Sequence, residues 1–341
     1  MSDSKTIPTF EEIEKRSPPY SAWDLWENPQ LGALNYLIDA LVLRSAKEEI
    51  QHGVRVGLNL PLDLIDPPFL GRSGFERKMI NKAPRVINDD VISFNTQGSS
   101  QWDSFRHFAY QKEGKFYNNV SQDDIHSKPE SKVNGINAWA ARGIAGRGVL
   151  IDYHGWAQKK GIAYDPLSGH GISVDEVDQI TKEYEIELRK GDIFMLRTGF
   201  VEAYSALSKD EREKYSTSHS FPGLASGRKT AKWLWNHQFA AVAGDNVAFE
   251  SARKSERKRA PQASSNPADY YDFLPAPADP EFGMLHPILL SGWGTPIGEL
   301  FDLELLAKEC ERLGRWSFFV SSSPLNYTGA VASPPNIMAI L

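Results

Sequence analysis

Residues 97–107 read Gln-Gly-Ser-Ser-Gln-Trp-Asp-Ser-Phe-Arg-His, which sets Gln97, Gln101, Asp103 and His107 at offsets of four, six and ten. Side chains of these types hold a metal or move a proton. Two donors four residues apart, with a third two further on, converge on one cation if the segment bends at its centre. Gly98, Ser99 and Ser100 are the small residues such a bend requires. Asp103 offers a hard anionic oxygen, and His107 an imidazole whose ordinary pKa of about 6.5 suits acid–base work near neutrality. Spacing alone also accommodates a plain polar loop with Asp103 at the surface and His107 half-buried. Other chemistries are poorly served. Cys310 is the one cysteine, so an internal disulfide and a thiolate metal cluster are excluded. It falls in 303–313, where apolar residues recur at helical spacing, and reads as a packed core thiol. Ser322, Ser323 and His154 lack a nucleophile-elbow sequence. No phosphate-binding glycine pattern sits between a strand and a helix, which argues against a nucleotide cofactor.

The elements that must position these residues are those of an α/β domain. Residues 31–49 carry apolar positions at helical spacing and are followed by Gly53, which predicts a helix. Residues 54–60 read as a strand stopped by Pro61, and 85–93 as a strand leading straight into the glutamine motif. Further buried strands are expected at 148–153, 192–198, 239–243 and 316–321, with helices at 174–189, 229–236 and 303–313 between them. Short apolar runs alternating with helices indicate a mixed sheet, with functional residues just beyond strand ends. Asp245 and the motif fit that location. The first twenty residues, polar with Pro18-Pro19, read as a flexible arm, leaving 21–341 as one domain. Residues 251–280 open with a basic run, then become rich in Pro, Ala and Ser. They read as a solvated loop insertion, and as a lid carrying Tyr270 or Phe273.

With 41% hydrophobic and 24% charged residues and a formal net charge of −6, the chain has the composition of a soluble globular protein. Its acidity argues against bare nucleic acid as a partner. No apolar run approaches the roughly 20 residues of a bilayer span. The start, MSDSKTIPTFEEIEK, lacks a basic segment followed by an apolar core. The expected address is the cytoplasm, with a small molecule as partner and neither nucleic acid nor membrane.

The motif resembles the cyclase family of metal-dependent hydrolases, which includes bacterial kynurenine formamidase and isatin hydrolase. Its signature is His-x-x-x-His-x-Asp-x-x-x-His. Segments 27–37 (ENPQLGALNYL), 189–199 (RKGDIFMLRTG), 221–224 (FPGL), 241–246 (AVAGDN) and 321–335 (SSSPLNYTGAVASPP) are similar, in order, to further family elements. The resemblance covers residues 20–341. It implies a single β/β/α, swivelling-type domain with a mixed sheet, assembled as a homodimer or larger. It implies metal ligation by residues 97, 101 and 103, acid–base catalysis by His107, and a second pair of ligands at His286 and Glu299.

The departures from the signature are specific. Gln97 and Gln101 stand where the family has imidazoles, Ser99-Ser100 where it has Gly-Thr, and Phe105 where it has Pro. An amide oxygen is a weaker ligand than imidazole for zinc, and oxygen-rich sets suit Mn²⁺. The expectation is one divalent ion, Mn²⁺ or Zn²⁺, held by Asp103, His286 and Glu299 with Gln101 and Gln97. Trp102 and Phe105 flank the ligands as stacking groups for an aromatic substrate. The reaction expected is hydrolysis of a cyclic amide, aryl formamide or lactone. The alternatives are a metal-free lyase, cyclase or dehydratase, and a non-catalytic family member.

Overall fold

The computed structural model describes residues 6–254, 273–275 and 282–341. Nine strands form one sheet: β1 (Arg55–Gly57), β2 (Gln101–Asp103), β3 (Ile144–Asp152), β4 (Ile193–Arg197), β5 (Ala241–Gly244), β6 (Ile297–Glu299), β7 (Ser317–Ser322), β8 (Ala332–Ser333) and β9 (Ile337–Ile340). Their order is β1-β9-β7-β3-β4-β5-β6-β2-β8. The β3–β4, β4–β5 and β5–β6 pairs are parallel, while both wings are antiparallel. This is the single mixed α/β domain expected. The central strands are continuous apolar runs because both of their faces are covered. Val149, Leu150, Ile151 and all of 193–196 are buried, each contributing about 1.5–3 kcal/mol.

The covering helices include α1 (Asp39–Glu49), α2 (Tyr153–Lys160), α3 (Val174–Glu183), α4 (Arg228–His237) and α5 (Glu304–Leu313). In α3 a Ser173–Glu176 capping box starts the helix, and Val174, Val177 and Ile180 form its buried face. Cys310 packs inside α5, as its helical spacing predicts.

Several segments differ from the sequence reading. The helix expected over 31–49 is two pieces, a 3-10 turn at Gly32–Tyr36 and then α1. Gly32 has φ +51°, and a Cβ there would meet the Gly294 carbonyl and Phe105, so the backbone cannot run straight through. The strand expected over 85–93 is Asn88–Ser93, paired with Glu76–Asn81 in an exposed hairpin apart from the main sheet. Residues 6–20, expected as a free arm, lie against the domain. Phe10 and Ile13 are fully buried, and Trp235 donates to the Pro8 carbonyl. The motif itself, expected as a bent loop, becomes strand β2 from Gln101. Residues 252–254 and 273–275 pair as a short ladder. Tyr270 and the Phe273 side chain of the expected lid lie outside the described residues. No helix among the described residues is long and apolar enough to cross a membrane.

Candidate active site

β2 lies between β6 and β8, with Gln101 opposite Glu299 and Asp103 opposite Ile297 and Ala332. Side chains alternate along a strand, so Gln101, Asp103 and Glu299 share one face and Trp102 takes the other. The turn into β2 is tied down by Ser100, whose Oγ accepts from Leu60 N at 2.7 Å and donates to the Leu300 carbonyl at 2.5 Å. His286 precedes a π-helical segment, Pro287–Trp293, with proline where a helix start tolerates it. Trp102 and Phe105, expected to stack on substrate, are fully buried in the core. Trp102 packs edge-on to Phe301 and donates to Ser322 Oγ at 3.0 Å. Phe105 lies between Tyr117 and Trp139. Asp245 is likewise structural: its carboxylate accepts from the backbone of Thr198 and Gly199 at 2.7 and 2.9 Å, tying β4 to β5.

The remaining expected residues come together. His286 Nε2 lies 3.0 Å from Glu299 Oε1, and its Nδ1 lies 2.6 Å from Glu250 Oε2. Glu250 Oε1 also accepts from the backbone N–H groups of Leu285 and His286. Gln101 Nε2 donates to Glu299 Oε2 at 2.5 Å. Gln97 plays a different part from the ligand expected. Its amide nitrogen lies 2.7 Å from Asp103 Oδ1 and 2.6 Å from His107 Nδ1, bridging the two. An ionised carboxylate only accepts, so the nitrogen must face Asp103. His107 Nδ1 is then an acceptor, and the ring proton resides on Nε2. That Nε2 lies 3.9 Å from Asp103 Oδ2.

Burial sets the charges, and neighbours modify them. Burial, with Arg72 and His286 adding to it, pushes His107 down to about 3, so it is neutral at physiological pH. Burial opposes the charge on His286 as well, yet Glu250 and Glu299 hold it well above the ordinary value. Glu250 is kept below the usual carboxylate range by that imidazolium despite its burial. Burial and the nearby Asp103 raise Glu299, while His286 pulls the other way. Burial also raises Asp103, against the hydrogen bond from Gln97.

One ligand atom from each of Asp103, His286 and Glu299 lies within 4.8 Å of the others. Asp103 Oδ2 and one further acceptor, Gln101 Oε1, are buried without a hydrogen-bond partner among the described residues. Orphaned buried acceptors are costly, and a cation between them would relieve that cost. Three oxygens and one imidazole nitrogen therefore fit a single divalent ion, once His286 gives up its Nε2 proton. Beside this cluster opens a cavity of about 710 Å³, lined by His107, His286, Glu299 and Gln97 together with Arg72, Phe108, Phe116 and Phe221.

The sequence of residues 12–251 matches the family described as "Putative cyclase". The chain belongs to the cyclase family. Among solved structures, this cyclase-family chain is similar to a novel cyclase at 29% identity and a TM-score of 0.74, covering 92% of this chain and 97% of that one. It is also similar in fold to isatin hydrolase A from Ralstonia solanacearum, at 13% identity and TM-score 0.53, covering 84% and 91% of the two chains. A third similar structure is an isatin hydrolase bound to the product analogue thioisatinate, at 10% identity and TM-score 0.55, covering 90% and 98%. No curated protein matches the sequence. His286 and Glu299 lie beyond the matched residues of this cyclase-family member, and the geometry joins them to Asp103. Glu250 and Arg72 escaped the sequence reading. The one signal for Glu250 is an acid placed directly after the apolar stretch 247–249.

Proposed function

We propose that this protein is a hydrolase that cleaves a C–N or C–O bond of a small cyclic amide, aryl formamide or lactone, with one divalent ion, Mn²⁺ or Zn²⁺. The observation that carries this reading is the convergence of Asp103, His286 and Glu299 beside two unpartnered buried acceptors, at the wall of a cavity that also exposes His107. The isatin hydrolases of similar fold support a hydrolytic reaction. When bound, the ion would supply a polarised carbonyl and a more acidic water.

The chain's own residues supply the rest. Asp103, His286, Glu299 and Gln101 would hold the ion, and Glu250 orients the His286 ring through Nδ1, as outer carboxylates do for ligating histidines. His107, neutral and protonated at Nε2, is the acid–base group. It takes a proton from the attacking water and hands one to the departing nitrogen or oxygen, so the ring ends as it began. Gln97 fixes its ring and tautomer. Replacing Asp103 by Ala is expected to remove both metal content and turnover of a panel of aryl formamides, cyclic amides and lactones. His107→Gln should keep the metal and lose at least about a hundredfold in kcat. An Asp103→Ala protein that binds metal and turns over normally defeats the proposal.

A second reading has an observation of its own. The His286 imidazolium, held between Glu250 and Glu299, already offsets part of their charge, and the amides of Gln97 and Gln101 donate hydrogen bonds to Asp103 and Glu299. A metal-free lyase or cyclase using His107 alone would retain full activity after exhaustive chelation. The hydrolase would lose it and recover on adding Mn²⁺ or Zn²⁺.

A further inference from the structure

Two guanidinium groups among the described residues line the cavity, and they are in opposite states. Arg106 is spent on the fold: its Nε, Nη1 and Nη2 donate to the carbonyls of Val133, Gly329 and Ser131 at 2.5, 2.8 and 2.9 Å. Arg72 makes one hydrogen bond among the described residues, from Nη1 to the Gln97 carbonyl at 2.6 Å, and no ion pair with any described carboxylate. It is half-buried, and its charge is felt at Asp103, His107 and Glu299. The loop that carries it is fixed. Phe69, three residues before, is buried among the rings of Phe200, Tyr204, Tyr215 and Phe221, at centroid distances of 5.5–6.0 Å. A half-buried cation on a held loop, with donors that no described residue takes, can read an anion. Phe108, Phe116 and Ile125 also line the cavity and give it an apolar surface, which suits a flat hydrocarbon body more than an inorganic anion.

We infer that the cavity takes an organic carboxylate: a ring-sized apolar body against the phenylalanine wall, with its carboxylate read by Arg72. This deepens the hydrolase reading by naming the charge its substrate carries, and it rests on that reading for the step from ligand to substrate. Arg72 is thus a specificity residue, and Gln97 links its guanidinium to the ring of His107.

Benzoate and benzamide, equal in shape and different in charge, test this by calorimetric titration of the full chain. Wild type should bind benzoate about ten- to a hundredfold tighter than benzamide, the range of a charge-assisted hydrogen bond. Arg72→Gln should bring the two affinities together by weakening benzoate alone, with unchanged benzamide binding showing an intact cavity. Arg72→Lys keeps the charge without the fork and should retain an intermediate preference. Equal affinities in wild type, or no benzoate binding in the millimolar range, overturn the inference. So does a preference that survives Arg72→Gln, above all one that appears only with added Mn²⁺, since that places the carboxylate at the metal. Turnover is a separate readout. A benzoate preference lost with Arg72, in a chain that hydrolyses none of the panel, keeps the carboxylate site and discards the hydrolase.

Discussion

Replacing Gln97 with Met tests the claim that this glutamine sets the tautomer of His107. Methionine keeps the length of the side chain and removes both donors. One of them reaches Asp103 Oδ1 at 2.7 Å, and the same nitrogen lies 2.6 Å from His107 Nδ1. A hydrogen bond to a charged group contributes about 1.5–3 kcal/mol and one to a neutral group about 0.5–1.5 kcal/mol. The variant should therefore lose about 2–4 kcal/mol of stability, read by urea unfolding. The larger share reflects Asp103, whose other oxygen already lacks a partner. The tautomer is the sharper readout. In wild type, moving the proton to Nδ1 would set an N–H against an N–H, which costs at least the neutral bond and favours Nε2–H by about tenfold or more. Long-range ¹⁵N–¹H correlation spectra of His107 should show the Nε2–H form alone in wild type. In Gln97→Met both forms should appear, with kcat falling while ligand affinity holds. A wild-type spectrum with the proton on Nδ1 refutes the reasoning outright.

Three further outcomes follow from the same geometry. His107 has a folded-state pKa of about 3 against an ordinary 6.5, so it is neutral in both states above pH 6.5. As pH falls from 6.5 toward 3, the unfolded chain takes up a proton that the folded chain refuses, and stability is lost. At pH 5 the loss is about 2 kcal/mol. Urea titrations at pH 7 and pH 5 should show His107→Gln spared that loss, and identical pH dependence would count against the neutral ring. Gln101→His puts an imidazole opposite Glu299 and should raise Zn²⁺ affinity at least about tenfold, measured by chelator competition; an unchanged affinity would place residue 101 outside the ion's reach. Trp102→Ala should cost about 3–5 kcal/mol of stability as a large core truncation, while the milder Trp102→Phe should leave benzoate affinity untouched. A changed affinity in Trp102→Phe would return Trp102 to the ligand.

Sequence periodicity located the central strands to within a few residues and the starts of α3, α4 and α5 to within one, because each has one buried stripe or two buried faces. Val174, Val177 and Ile180 announce α3, and Ile193–Leu196 can only be a covered strand. The motif offsets brought Asp103 and His107 to notice, and the family resemblance added His286 and Glu299. What stayed illegible was decided by distant partners. β2 has three residues, two of them polar, and no periodicity; it is a strand because β6 and β8 flank it. That pairing sends Trp102 into the core, where its neighbours in sequence suggested a binding wall. Glu250 could not be singled out because its meaning comes from His286, 36 positions away. Gln97 looked like a ligand by its place in the signature, yet its amide has two sides, and the acceptors around it decide which side is used.

The place of β2 between β6 and β8 governs when the pocket can form. Gln101 and Glu299 are 198 residues apart in sequence, and Ala332, opposite Asp103 on the other edge, comes later still. At a synthesis rate of about 5–20 residues per second, Asp103 waits about 10–40 s in open solvent before its neighbouring strand exists. The parallel sheet core can collapse during that interval. The pocket cannot, because β6 and β8, which flank β2, follow β3, β4 and β5 in sequence. Whatever the pocket holds is acquired only after β6 and β8 have been made, so an emerging chain that stops short of them has no pocket to fill.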